Sequence, residues 1–183
     1  MSDEMIVRHC SPTLAGMKTG NMLTCYYENA DEMKNSLRRW NRLLGKKGLR
    51  VLPLRFQNNQ ALIYVFRPSR LSKDLQNDIA GRLLAECGYA DKTPQRCILR
   101  LIQRLKASGE FPHEIGLFLG YPPEDVNGFI ENKAGGSKFA GCWKVYGDVE
   151  AAQKLFAKYK KCTDVYCEQL SRGKSVERLT VAV

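Results

Sequence analysis

The sequence predicts an α/β (α+β) protein of one domain, residues 1–183, with a mixed sheet of about five strands covered by about six helices. Three observations carry that reading. Two β-rich runs, Leu49 to Phe56 and Ala61 to Phe66, flank the polar turn Gln57-Asn58-Asn59-Gln60, which predicts a hairpin at 49–66. Stretches with apolar residues three and four apart recur along the rest of the chain. Proline and glycine punctuate them where helices open and close.

Taken in order, Ile-Val-Arg-His-Cys at 6–10 predicts a short strand, interrupted by Ser11-Pro12. Ser11 as N-cap and Pro12 at the first helical position predict a short helix through Lys18, ended by Gly20. Asn21 to Tyr27 is a second extended run. Residues 31–44 predict an amphipathic helix with Met33, Leu37, Trp40 and Leu44 on one face and Lys34, Arg38, Arg39 and Arg42 on the other. After the hairpin, Ser72 caps a helix carrying Leu75, Ile79, Leu83 and Cys87, with Gly88 as its stop. Thr93-Pro94 opens the next, ended by Ser108-Gly109. Two short proline-led helices follow, Pro112 to Leu119 and Pro123 to Asn132. Ala134-Gly135-Gly136-Ser137 places a mobile loop at 133–140. Cys142 to Tyr146 predicts a strand, Asp148 caps a long helix, and Val176 to Val181 predicts a last strand.

Hydrophobic residues make up 44% and charged residues 26% of the chain, a globular balance that argues against disorder. No apolar run is long enough to span a bilayer, and the acidic start lacks the order of a secretory signal, so a cytoplasmic location is expected. Seven cysteines without any Cys-x-x-Cys pair then read as free thiols in a reducing compartment, mostly as small buried hydrophobes. A net charge of +10 is compatible with an acidic protein, an anionic cofactor or nucleic acid, and equally with solubility alone.

Four stretches could carry chemistry. A helix start at Pro12 would aim free N–H groups at Cys10, favouring an anion or a thiolate there, with Ser11, Thr13, Lys18, Thr19 and Asn21 as further polar partners. The simpler reading has Ser11 as a cap and Cys10 buried. His9, adjacent to Cys10 on a strand, would point to the opposite face. His113 and Glu114, in the first turn of a short helix, offer an imidazole and a carboxylate to a metal or haem, although no His-x-x-x-His pattern accompanies them. Trp143, Lys144 and Tyr146 lie on a strand that leads into a helix, a position that borders ligand crevices in α/β sheets; Cys142 joins Cys10 as a candidate thiol. Arg38, Arg39, Arg42, Lys46, Lys47 and Arg50 form a basic stretch around Trp40, which reads as a solvated helix face or as a nucleic-acid or acidic-partner surface. Dinucleotide and P-loop motifs are absent.

The strings HCSPTLAGMKTGNM, FPHEIGLFLGYPPEDVNGFIENK and CWKVYGDVEAAQKLFAKYKKC closely resemble a bacterial family, domain-of-unknown-function family 3793, from His9 to about Cys167. The resemblance implies a single-domain cytosolic protein of anaerobic Gram-positive bacteria, often encoded beside flavodoxin or iron-related genes. It brings no catalytic assignment, because the family has no established activity.

Three functional readings follow. The first is a cofactor- or metal-binding protein of anaerobic redox or iron metabolism, holding haem, flavin or iron, with metal candidates His9, His113, Glu114 and Cys142. The second is an interaction module whose basic face meets a flavodoxin-like or other acidic protein, or nucleic acid. The third is a cysteine-dependent enzyme using Cys10 or Cys142.

Overall fold

A computed structural model describes every residue except Lys92, Ser108, Gly109, Glu110 and Val183, so the predicted helix stop at Ser108-Gly109 lies outside the described residues. The elements run α1 (Asp3–Leu14), β1 (Gly20–Tyr26), α2 (Ala30–Gly45), β2 (Arg50–Gln57), β3 (Gln60–Phe66), α3 (Pro68–Asp74) and α4 (Asp78–Glu86). They continue with α5 (Pro94–Lys106), α6 (Ile115–Phe118), α7 (Pro123–Glu131), β4 (Phe139–Ala140), β5 (Lys144–Val145), α8 (Val149–Ser171) and α9 (Val176–Leu179). The protein is of the α/β class. Its strands, however, form two antiparallel sheets rather than one mixed sheet, in the orders β1-β3-β2 and β4-β5. The chain divides into two compact units, Met1–Ser69 with Tyr159–Val183, and Arg70–Lys158.

In the first unit the hairpin forms as the sequence predicts. Asn58 and Asn59 turn it with φ of 49° and 57°, the left-handed conformation that asparagine tolerates. Alternation puts Leu23 and Cys25 of β1, Ala61, Ile63 and Val65 of β3, and Val51 of β2 into one core. Ile6, Cys10 and Leu14 of α1 and Met33, Leu37, Trp40 and Leu44 of α2 cover that face. Pro53 sits on the edge strand β2, where its missing N–H costs least, beside a break in register between Pro53 and Arg55. Asn41 of α2 takes over pairing at that edge: it donates to Val51 O at 2.7 Å and accepts from Val51 N at 2.9 Å.

Two predicted strands in this unit are helices. Residues 6–10 belong to α1, whose true N-cap is Ser2 accepting from Met5 N, with Asp3 and Glu4 complementing the positive end of the helix. The short apolar run Ile-Val was the misleading signal, because burial at Ile6, Val7, Cys10 and Leu14 follows helical spacing. Pro12 therefore opens no helix; it lies in the last turn of α1, and no separate helix runs to Lys18. Residues 176–181 likewise start as the short helix α9, capped by Ser175.

In the second unit α7 packs against α4, α6 and β5. Ser72 lies inside α3, and Asn77 rather than Ser72 caps α4 by accepting from Ile79 N and Ala80 N. Gly88 ends α4 as predicted: its φ is +80°, while Gly88 N reaches Ala85 O and Tyr89 N reaches Leu84 O. That double closure is a Schellman motif. The predicted strand 142–146 contracts to β5, paired with β4. Asp148 accepts from Ala151 N at the start of α8, as the sequence predicts.

Candidate functional site

The first predicted site is inverted by the position of α1. Cys10, Ser11 and Thr13 lie near the C-terminal end of a helix, where carbonyls rather than N–H groups are exposed and the dipole is negative. A cation occupies that end. Arg67, fully buried, donates from Nε to Thr13 O at 2.8 Å and from Nη2 to Leu14 O at 2.7 Å. The same guanidinium reaches Val181 O at 2.8 Å and Lys47 O at 3.2 Å. Cys10 is sealed in the core, and burial pushes its thiol up to about 12, far from a nucleophile. Ser11 donates back to Val7 O, and Thr13 donates to Asn21 Oδ1 at 2.7 Å. Lys18 is buried with its ammonium 6.0 Å from the Tyr159 ring centroid, and Thr19 accepts from Arg67 N at 2.9 Å through its carbonyl. His9 is exposed on α1. This end of the first unit is a structural clamp, with Arg67 as the residue that sequence reasoning missed.

Of the candidate metal ligands, Glu114 is committed elsewhere. Glu114 is buried, its Oε1 accepting from Tyr89 OH at 2.9 Å and standing 2.5 Å from Arg104 Nε. Arg104 Nη2 adds a bond to Glu114 Oε2 at 3.4 Å, so the carboxylate balances a guanidinium rather than waiting for a metal. Burial and the neighbouring Glu114 charge raise the Tyr89 phenol well above its ordinary value, which keeps it a donor. His113 precedes α6, a helix of four residues, so it does not stand in a helical first turn. Cys142 is exposed, and its carbonyl accepts from Tyr121 OH at 3.3 Å. Among the described residues no group of three or more His, Cys, Asp or Glu side chains could hold a metal ion.

A cleft of about 550 Å3 opens in the second unit. One wall pairs His113 with Phe129, edge to face at 4.9 Å between ring centroids, and Lys144 stands 5.9 Å from the Phe129 centroid. The other pairs Tyr121 with Trp143, stacked at 4.7 Å and 28°. Phe111, Ile115, Gly116, Asp125, Val126, Ala140 and Gly141 complete the lining. Burial raises the Tyr121 hydroxyl to about 12, so it stays protonated at neutral pH.

Asp125 of α7 fixes the second wall. Its buried carboxylate accepts from Trp143 Nε1 at 2.7 Å, Tyr146 N at 2.7 Å and Gly147 N at 2.8 Å. Three N–H donors on one carboxylate tie the β4–β5 hairpin to α7 and set the plane of Trp143. Glycine allows the approach: a Cβ on Gly128 would overlap the Tyr146 ring, and one on Gly141 would overlap the Phe156 ring. Phe156 in turn meets Trp143 edge to face at 4.4 Å. The segment predicted as a loop at 133–140 is pinned to the hairpin, with Tyr146 OH donating to Gly135 O at 2.9 Å, Lys138 Nζ to Gly147 O at 3.1 Å and Lys144 Nζ to Ala134 O. Lys133 and Ala134 both adopt positive φ there.

Of the sequence-predicted residues, the structure brings His113, Trp143 and Lys144 together on this cleft. Tyr146 braces it from behind, while Glu114 and Cys142 do not line it. Sequence reasoning missed Tyr121, Asp125 and Phe129. Asp125 sits in the first turn of α7, where an acidic residue reads as an ordinary complement to the helix dipole, and that masked its buried role.

Fold and cleft together define an α/β protein with a ligand-sized aromatic crevice built on one unit. The chain belongs to the family described as a protein of unknown function, DUF3793, whose family model matches residues 6–180. No curated protein and no solved structure matches it. Among the described residues no helix is long and apolar enough to cross a membrane.

Proposed function

We propose that this protein binds a flat conjugated organic ring with acidic substituents, of the flavin or haem class, in the cleft of its second unit. The observation that carries the reading is the pairing of His113–Phe129 with Tyr121–Trp143 about a cavity of about 550 Å3. Rings on such walls gain apolar burial plus a geometric preference for stacked or edge-on contact. The volume lies in the range that holds cofactor-sized ligands. Lys144, with one donor on Ala134 O, adds a cation to a lining whose Asp125 carboxylate is taken up by three N–H groups, and its remaining donors suit a carboxylate or phosphate substituent on the ring. With no three-ligand group among the described residues, the reading concerns an organic ring rather than a bare iron ion. It agrees with the redox or iron physiology that the family resemblance implies.

Titration of the full chain with flavin mononucleotide and, separately, with haemin tests it, read by quenching of Trp143 emission in a Trp40→Phe background. Saturable micromolar binding by one of them, weakened about tenfold by Phe129→Ala, is expected, since one wall ring is worth about 1.4 kcal/mol. Loss of a haemin absorbance shift in His113→Ala would assign the imidazole to the iron. Failure of both ligands to saturate the protein at millimolar concentration ends the proposal.

A second reading, docking of an acidic protein or nucleic acid, rests on α2. Arg38, Arg39, Arg42, Lys46 and Arg50 are all exposed along it and just beyond its end. Such binding weakens steeply with salt and disappears on charge reversal at Arg38, Arg39 and Arg42; salt-independent binding overturns it.

A further inference from the structure

We propose that the outer face of α5 is a docking groove for an acidic segment of a partner protein, seated by one apolar side chain of that segment. The inference is independent of the aromatic cleft. α5 buries Cys97, Ile98, Leu101 and Leu105, and helical spacing then places Arg96, Leu99, Arg100 and Gln103 together on the opposite arc. These four side chains and the turn after α4 line an open surface groove of about 500 Å3. Leu99 is 55% exposed between two guanidinium-bearing neighbours, an apolar residue with no core to enter.

The chemistry of the lining names the occupant. Arg96 and Arg100 stand one turn apart, which matches carboxylates at i and i+4 on a facing segment, and each guanidinium fork can donate two bonds to a carboxylate. Arg100 is held only loosely, Nη1 to Gln103 Oε1 at 3.5 Å. The acidic lining residue, Asp91, is already engaged: its Oδ1 accepts from Thr93 N at 2.6 Å, and that bond first, with the Arg96 charge adding to it, holds its carboxyl below the usual value. Gly88 lets the arginine settle against the turn, because Arg100 Nη2 lies 3.2 Å from where a Cβ would stand. The net charge of +10 steers acidic partners towards the protein from a distance. A single-stranded nucleic acid fits this groove less well, since its bases gain from exposed rings to stack on and Tyr89, the aromatic residue here, is buried.

The test uses the full chain and a short fluorescein-labelled peptide with glutamates one turn apart around a central leucine. Fluorescence anisotropy should show saturable binding that weakens with added salt. R96E/R100E should weaken it at least about tenfold and Leu99→Ser several-fold, while charge reversal at Arg38, Arg39 and Arg42, which lowers only the overall charge, weakens it by no more than about twofold. All the substituted side chains are exposed, and matched thermal unfolding of each variant confirms that the fold is kept. The proposal is overturned by absence of saturable binding, by equal binding of a glutamine version of the peptide, by equal loss from the Arg38, Arg39 and Arg42 reversals, or by a labelled single-stranded DNA binding this face more tightly.

Discussion

Replacing Arg67 with methionine keeps most of the apolar volume of the side chain and removes its charge, and the structure sets the cost. Among the described residues, four carbonyl oxygens receive the guanidinium, from Thr13, Leu14, Lys47 and Val181. Thr13 O and Leu14 O keep other donors, Gly16 N at 3.1 Å and Val181 N at 3.0 Å, so the substitution does not orphan them. What is lost is a set of charge-assisted bonds, each worth about 1.5–3 kcal/mol, and the favourable meeting of a cation with a helix C-terminus. Removing a fully buried guanidinium returns part of its desolvation cost. The net loss is about 2–4 kcal/mol, or roughly 4–16 °C in the thermal midpoint of a chain this size. Urea unfolding read by Trp40, buried in the same core, measures it in a Trp143→Phe background. The deficit should persist in high salt, because the pair is shielded from solvent. A cost below about 0.5 kcal/mol would refute the clamp and leave Arg67 as a mere passenger of packing.

Two further predictions concern titration and the cleft. The Cys10 thiol is raised from 9.0 to about 12, so it remains neutral in the folded chain while the unfolded chain ionises; its contribution is intact below about pH 9 and is lost as pH rises towards 12. Stability should therefore fall with a slope reaching about 1.4 kcal/mol per pH unit from this thiol, and Cys10→Ala should flatten urea midpoints between pH 8 and 10; parallel slopes in both proteins would contradict the assignment. Asp125→Ala removes one carboxylate from three N–H donors and should cost about 3–5 kcal/mol in the second unit, shifting Trp143 emission to the red as its ring is released; Asp125→Asn should retain part of both. Unchanged Trp143 emission in Asp125→Ala would show that glycine packing alone holds the hairpin.

Local patterns made the hairpin, α2, α5 and the Gly88 stop legible, since each is written in neighbouring residues. The hairpin needs only alternation around two asparagines, and α2 needs only the spacing of Met33, Leu37, Trp40 and Leu44. At the N-terminal element Ser11-Pro12 has the composition of a helix start, whereas the operative cap is Ser2, nine residues earlier. Of the candidate site, Trp143, Lys144 and His113 were legible as chemistry but not as neighbours. What joins them is Asp125, which bonds to residues 18 to 22 positions away, a relation no periodicity encodes. Arg67 is further from reach: its acceptors at Thr13 and Leu14 lie 54 and 53 positions back along the chain.

The way the hairpin is held bears on what the cleft can do. Two paired residues on each strand are too few for β4 and β5 to persist by their own hydrogen bonds. Their geometry is imposed from outside, by Asp125 beneath, by the Gly128–Tyr146 and Gly141–Phe156 approaches, and by Tyr146 and Lys144 bonding the preceding loop. A ligand in the proposed cleft would thus meet Trp143 with its ring plane already fixed, and would not bear the ordering cost that a free hairpin exacts. The consequence is specific: binding in the cleft should be lost more steeply through Asp125 or Gly141, which touch the architecture, than through any single apolar wall residue. A ligand that needed the cleft widened at Trp143 would have to break bonds to the buried Asp125 carboxylate.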